Sequence, residues 1–184
     1  MDREPTITEL QGDFESVVKR FQKPLVNYMY RMVRNEETAM DLAQDVFVKA
    51  YRARDNFDGR SKVSTWLFSI AVNHGRDYLK MKRHEVELAF EDGAEVESAA
   101  EFSAPISGPE GEALTGELGR ALEKALAALP ADYRETIVMR HVNGMSLEEI
   151  AVARGVPEGT VKAHLFRARE KMQQILTKSW GNPT

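Results

Sequence analysis

The side chains best suited to chemistry in this sequence are cations that recur along its last helical pattern. They outnumber the acids around them and are Lys162, His164, Arg167, Arg169 and Lys171. Guanidinium and ammonium groups neutralise nucleic-acid phosphates, and an arginine can also donate two hydrogen bonds to a guanine edge. The pattern favours a helix that binds nucleic acid, although a solvated surface helix in a helical hairpin shares it.

The residues just before these cations indicate the elements that must hold them. Ser146 and Glu149 have the spacing of a capping box, in which each side chain accepts a hydrogen bond from an unpaired backbone N–H. A small residue, a turn glycine and an apolar anchor then follow at Ala151, Gly155 and Val161. The spacing predicts a helix-turn-helix whose second helix presents the cations to the major groove.

The rest of the chain is also helical in pattern. Apolar residues recur at three- and four-residue spacing, with no alternation of the kind that marks a β-strand. We expect Pro24 to kink or interrupt the first of these stripes, and Val63 to begin one long or two short helices. The sequence predicts an all-α fold of two small domains, an N-terminal helical bundle and a C-terminal four-helix domain that contains the helix-turn-helix.

An acidic segment separates the two predicted domains. No lysine or arginine lies between His84 and Gly119, whereas ten of the 29 acidic residues do, which leaves 19 acids against 25 basic residues elsewhere. The flanking domains are therefore net basic although the whole chain carries −4. We predict domains at 10–83 and 114–178 with a linker at 84–113, which is either a solvated tether or an acidic strand for a basic channel of a partner.

Composition disfavours several classes of function. The chain has no cysteine, which excludes disulfides, thiolate nucleophiles and cysteine-based zinc sites. No apolar stretch approaches the roughly 20 residues of a membrane span, and the first residues lack the pattern of a secretion signal. The four histidines show no metal-ligand spacing with carboxylates. We therefore expect a soluble, cytoplasmic protein with no metal, no cofactor and no catalytic residues.

Three stretches resemble the extracytoplasmic-function (ECF) group of sigma factors, in the sigma-70 family of bacterial RNA polymerase subunits. They are DLAQDVFVKAYRARDNF, GRSKVSTWLFSIAVNHGRDYL and GVPEGTVKAHLFRARE, and the resemblance covers about residues 10–83 and 115–176. It implies an alternative sigma factor that binds the β′ clamp helices and β flap of core RNA polymerase. It also implies that the DNA partners are the minus-ten and minus-thirty-five promoter elements. An anti-sigma factor is a further implied partner, and the protein would contact a membrane only through it.

The resemblance also assigns the polymerase-binding residues. They lie in the first stretch and are Asp41, Gln44, Asp45 and Lys49. Taken without the resemblance, these residues are equally typical of an amphipathic helix with a solvated acidic face.

The second stretch would hold a base flipped out of the minus-ten element. The resemblance places Asn73 and the loop at 56–64 around this base. Extracting a base from the duplex costs a few kcal/mol, and the amide of Asn73 can offer the base edge both a hydrogen-bond donor and an acceptor. Asn73 could instead cap the following helix, and we assign Trp66 to the core rather than to base stacking. The resemblance and the positive charge together give the minus-ten residues as Asn73, Arg60, Ser61, Lys62, Arg76 and Lys80.

The third stretch would read the minus-thirty-five element. Its implied contacts are Lys162, Ala163, His164, Phe166, Arg167 and Arg169. Ala163 and His164 stand where relatives often carry a polar residue and an arginine, so the sequence that this helix prefers stays open. His164 would offer weaker, pH-dependent hydrogen bonds.

Three rival hypotheses remain. A helix-turn-helix regulator that does not bind core polymerase would explain the C-terminal half but leave the middle stretch without a role. An enzyme built on a helical bundle would need a convergent site, and the glycines of GPEGEALTGELG follow no strand and form no phosphate loop. A pure interaction module would use the same surfaces as polymerase binding does.

Overall fold

The computed structural model describes residues 4–91 and 116–180, and within these ranges every regular element is a helix. The predicted all-α class is confirmed. Contacts between Cα atoms divide the chain into two compact units, one built by helices α1–α4 and one by α5–α8 apart from residues 152–154. The helices are α1 Ile7–Gly12, α2 Phe14–Val33, α3 Glu36–Ala53, α4 Val63–Glu91, α5 Glu117–Ala127, α6 Ala131–Ile137, α7 Leu147–Arg154 and α8 Glu158–Trp180.

The first unit is a helical bundle whose helix starts are capped by their own sequence. The Asp13 carboxylate accepts from the Ser16 N–H at the start of α2, and the Asn35 amide oxygen accepts from the Thr38 N–H at the start of α3. Between the helices the core is closely packed, with the rings of Tyr28 and Phe68 edge to face at 5.6 Å.

Two features of this unit differ from the sequence expectation. The helix α2 is not interrupted at Pro24, since apolar side chains on both sides of the proline are buried and hold its two halves in one element. The second feature is α4, a single helix that continues to Glu91. No glycine or proline lies between residues 76 and 92, so nothing stops the helix before the acidic segment. Residues 84–91 of the predicted linker are therefore helical, and the others fall outside the described residues.

The second unit contains the predicted helix-turn-helix. The capping box at the start of α7 is confirmed, with the Ser146 N–H donating to Glu149 Oε2 at 2.7 Å and the Glu149 N–H to Ser146 Oγ at 3.1 Å. Gly155 has a φ of +64°, the left-handed conformation that ends α7 and turns the chain into α8. The buried Val161 anchors α8, as predicted.

A π-helical turn that the sequence did not indicate joins α6 to this motif. It spans Val138–Val142, and the Asn143 N–H donates to the Val138 carbonyl at 3.1 Å. The Arg140 guanidinium donates to the Met145 carbonyl at 2.8 Å, which ties the turn to the segment just before α7. A π-helical turn is wider than an α-helical one, and together with the Arg140 hydrogen bond it helps to position the start of α7.

Candidate nucleic-acid and protein interfaces

The exposed side of α8 carries all six predicted minus-thirty-five residues. Val161, Leu165 and Ala168 form the buried side of this helix, which packs against α5 and α6. The predicted contacts lie between these anchors, and all are exposed except His164, which is half-buried. Phe166 is 64% exposed, an unusual position for an aromatic ring without a partner surface.

Tyr133, on α6, contacts two of these residues. Its ring lies 5.2 Å from the His164 ring, and its hydroxyl oxygen accepts a hydrogen bond from Arg167. That hydrogen bond is the main cause that raises the pKa of the Arg167 guanidinium above its usual value. The sequence placed Tyr133 only on an apolar stripe. The only sign in the sequence of a second role was the hydroxyl group of a tyrosine on an otherwise apolar stripe, because such a hydroxyl usually has a hydrogen-bond partner.

Two further cations of α8 also have defined neighbours. Lys162 Nζ lies 2.7 Å from Glu158 Oε1, one helical turn earlier, in an exposed ion pair that DNA phosphates could displace. Arg169 Nη2 lies 3.4 Å from His141 Nε2. Partial burial, then the charges of Arg169 and Arg140, lower the pKa of His141. A neutral His141 can accept a hydrogen bond from Arg169, so the π-helical turn supports this cation as α6 supports Arg167.

In the first unit, Asn73, Arg76 and Lys80 follow one another along one side of α4. Asn73 is exposed, and its amide has no hydrogen bond to any residue that the structure describes. It lies in the middle of α4, which rules out the alternative that it caps a following helix. Its amide is therefore available to an external donor or acceptor.

The loop before α4 presents the other predicted minus-ten residues. Arg60 and Lys62 are exposed and Ser61 is half-buried. Asp58 Oδ1 accepts from the Arg60 N–H at 3.1 Å, and the Arg60 side chain donates to the same carboxylate, which together lower the pKa of Asp58. Asn73 lies ten residues into α4, or ~15 Å along its axis, so the loop and Asn73 mark two ends of one surface rather than a single cluster.

Trp66 lies close to this surface without forming part of it. The side chain is half-buried, and its ring packs on the buried Phe57 at 5.2 Å. This contact agrees with the assignment of Trp66 to the core rather than to base stacking.

The outer side of α3 carries the four predicted polymerase-binding residues, all of them exposed. Apolar side chains share this side, with Met40 43%, Val48 47% and Tyr51 50% exposed. Tyr51 also packs on Phe14 and under the Arg54 guanidinium, so it has a role within the chain. The exposed Met40 and Val48 among charged side chains are more typical of a protein interface than of a solvated face.

His74, on α4, joins two of these residues and was missed by the sequence analysis. Lys49 Nζ lies 2.6 Å from His74 Nδ1, and His74 Nε2 lies 3.2 Å from Asp45 Oδ2. An ammonium group can only donate, so Nδ1 accepts and the proton on Nε2 donates to the carboxylate. His74 thereby fixes Asp45 and Lys49 relative to each other.

Within residues 4–91 and 116–180, no group of three or more histidine, aspartate or glutamate side chains could hold a metal ion. None of the helices in the same ranges is long and apolar enough to cross a membrane.

Comparison with known proteins gives two family matches in chain order. Residues 17–85 match the family described as Sigma-70 region 2, and residues 119–172 match Sigma-70, region 4. The chain is 37% identical over 174 residues to the ECF RNA polymerase sigma-E factor of Escherichia coli K12, with 91% of each chain covered. It is 33% identical over 166 residues to the RNA polymerase sigma-H factor of Pseudomonas aeruginosa, covering 89% of this chain and 86% of that one.

Solved structures agree with these matches. The sigma factor RpoE in complex with the anti-sigma factor NepR from Bartonella quintana has a TM-score of 0.69 at 30% identity, covering 90% of this chain and 97% of that one. CnrH in complex with the cytosolic domain of CnrY has a TM-score of 0.63 at 26% identity, covering 90% and 88%.

Proposed function

This chain belongs to the extracytoplasmic-function group of the sigma-70 family, and we propose that three of its surfaces divide the work of an alternative sigma factor. The reading face is the exposed side of α8 with Lys162, Ala163, His164, Phe166, Arg167 and Arg169. The opening surface comprises Arg60, Ser61, Lys62, Asn73, Arg76 and Lys80. The polymerase face is the outer side of α3 with Asp41, Gln44, Asp45 and Lys49.

The observation that carries this proposal is that a capped helix-turn-helix with an exposed cationic side and a mixed apolar and acidic face on α3 occur in one chain. A regulator that acts without core polymerase needs the first and has no use for the second. The polymerase face would bind the β′ clamp helices, while the second unit would bind the β flap and present α8 to the minus-thirty-five element. We therefore place the functional domains at 10–83 and 114–178, with 84–113 linking them.

In this proposal the protein acts by binding energy and makes or breaks no covalent bond. Cations of α8 neutralise phosphates while Arg167 reads a base edge, and the opening surface returns hydrogen bonds to a base that has left the duplex. Such a factor works beside the polymerase in the cytoplasm. An anti-sigma factor, like the one in complex with RpoE, would hold it inactive by covering the polymerase face.

Reconstituted transcription tests the proposal. Core RNA polymerase with the purified chain should select promoters from a randomised library and give run-off transcripts from them, whereas core enzyme alone should not. Gln44→Ala should weaken retention of the chain on core polymerase, because it removes a polar contact from the centre of the polymerase face. Gln22→Ala, on the exposed side of α2, is the matched control. Output unchanged by the protein would reject the proposal.

A second prediction concerns Tyr133. Tyr133→Phe keeps the ring beside His164 and removes the hydroxyl that accepts from Arg167. We expect ~0.5–1.5 kcal/mol weaker binding to the selected minus-thirty-five duplex, the net worth of one hydrogen bond. Fluorescence anisotropy with a selected and a scrambled duplex measures this, and Tyr30→Phe in the first unit is the control. An equal loss on both duplexes would show that Tyr133 does not orient a base contact.

A further inference from the structure

The start of α4 is capped by a residue far away in the sequence. Ser64 N–H, in the first turn, donates to Glu4 Oε1 at 2.7 Å. Lys62, directly before α4, has no acceptor in its side chain and cannot serve as a local cap. A carboxylate at this position satisfies an unpaired N–H and interacts favourably with the positive end of the helix dipole. The N-terminal segment therefore stabilises the point where the loop at 56–64 enters α4.

The same segment also covers the tip of that loop. Gly59 has a φ of +73°, and a Cβ built on it would lie 2.5 Å from Cδ1 of Ile7. The Ile7 side chain thus lies directly against the glycine backbone, and the left-handed conformation at this position favours glycine. Within the loop, the Asp58 carboxylate accepts from the backbone N–H and the side chain of Arg60. The loop is therefore held by its own residue Asp58 and by Glu4 and Ile7 of the N-terminal segment.

The N-terminal segment is itself well anchored, so it can act as a support. Thr6 and Glu9 form a capping box at the start of α1, with the Thr6 N–H donating to Glu9 Oε2 at 2.7 Å. Leu10 is completely buried, and α1 packs against α2 and against the short 3-10 turn that precedes the loop. A support that is ordered in advance lowers the entropy lost when the loop binds a ligand.

We propose that Glu4 and Ile7 form a brace that holds residues 58–64 in the conformation which captures a minus-ten base, so that Glu4 is a positioning residue for promoter opening. The inference rests on the proposed function, because it takes the loop to be part of the opening surface. It gives a role in promoter opening to Glu4 and Ile7, which carry no positive charge and do not contact DNA in this proposal. Their effect is exerted through the backbone of Gly59 and Ser64.

The test measures base capture by the complete holoenzyme. The probe is a labelled single-stranded oligonucleotide that carries the selected minus-ten sequence, with either the flipped base or an abasic site at that position. The ratio of the two affinities is the base discrimination. Glu4→Ala and Ile7→Ala should each lower it, Glu4→Ala by about ten-fold, the value of a hydrogen bond to a charged group. Glu4→Gln should restore part of the loss, since the amide oxygen still accepts from Ser64.

Further measurements separate a brace from a merely structural role. Affinity for core polymerase should stay near wild type in the brace variants, and the thermal transition should fall by only a few degrees, as expected for one lost helix cap with the core intact. Glu15→Ala, which removes an exposed carboxylate paired with Lys19 on α2, should leave base discrimination unchanged. A loss of discrimination that merely follows a loss of core affinity and thermal stability would overturn the brace in favour of a general folding role.

The remaining outcomes distinguish the brace from the function on which it rests. Unchanged discrimination in both Glu4→Ala and Ile7→Ala, with Asn73→Ala abolishing it, would overturn the brace and leave the opening surface in place. No discrimination in the wild-type holoenzyme would overturn the opening surface, and the brace with it.

Discussion

Replacement of Asn73 by alanine is expected to leave polymerase binding near wild type and to reduce promoter opening by about ten- to hundred-fold. The reason is that Asn73 is exposed on α4 with its amide unused by the described part of the protein. A flipped base that loses both amide hydrogen bonds forfeits ~1–3 kcal/mol of the energy that offsets its extraction from the duplex. Permanganate reactivity of unpaired thymines in the selected promoter measures the open fraction.

The control for this experiment removes an amide of the same chemistry from a neutral position. Gln22 is exposed on α2, outside the three proposed surfaces, and Gln22→Ala should open promoters normally. A template that is already unpaired across the minus-ten element gives a second comparison, because a variant that cannot offset base extraction should be partly rescued by it. Normal opening of duplex promoters by Asn73→Ala would remove this residue from the opening surface.

The features that the sequence predicted well are those set by short-range chemistry. The capping box of Ser146 and Glu149 joins residues three apart, and the left-handed turn at Gly155 depends on one residue. Both follow from local rules, as does the division of α8 into a buried and an exposed side. The exposed side of α8 could therefore be predicted from the pattern, whereas the choice of its DNA-contacting residues follows from the family resemblance and remains a prediction.

The supports of these faces could not be predicted in the same way, because each joins residues that are distant along the chain. His74 reaches Lys49 across 25 positions, and the cap that Glu4 gives to Ser64 spans 60. Periodicity assigns a residue to a helix side but does not say which side chain of another helix it meets. Tyr133 was placed on its stripe for the same reason, without its hydrogen bond to Arg167.

The length of α4 shows a different limit. Acidic residues and glycines make the segment after His84 typical of a linker, yet its first eight residues, 84–91, continue the helix. Composition averages over a window, whereas a helix ends where the backbone meets a breaker, and the first one after residue 76 is Gly93. The lack of a helix breaker between residues 76 and 92 therefore predicts the longer helix, whereas the acidic composition alone predicts a linker.

Arg167→Ala is expected to weaken binding to the minus-thirty-five duplex by ~1–3 kcal/mol and to relax the base preference at one position. Arg167 is exposed on α8, and the hydrogen bond to Tyr133 directs its guanidinium. That contact raises a pKa that is already high, so Arg167 stays protonated and the loss should not vary between about pH 6 and 9. Anisotropy titrations with selected duplexes, each changed at one base pair, measure both effects.

The salt dependence of the same titrations decides what kind of contact Arg167 makes. A base contact leaves the slope of log affinity against log salt unchanged, whereas a lost phosphate contact lowers it by about one and weakens scrambled duplexes equally. Arg120→Ala, which removes an exposed arginine of α5 outside the reading face, controls for the change in net charge. An equal loss on scrambled DNA with a lower slope would make Arg167 a phosphate contact. Base selection by α8 would then fall to the other residues of the reading face.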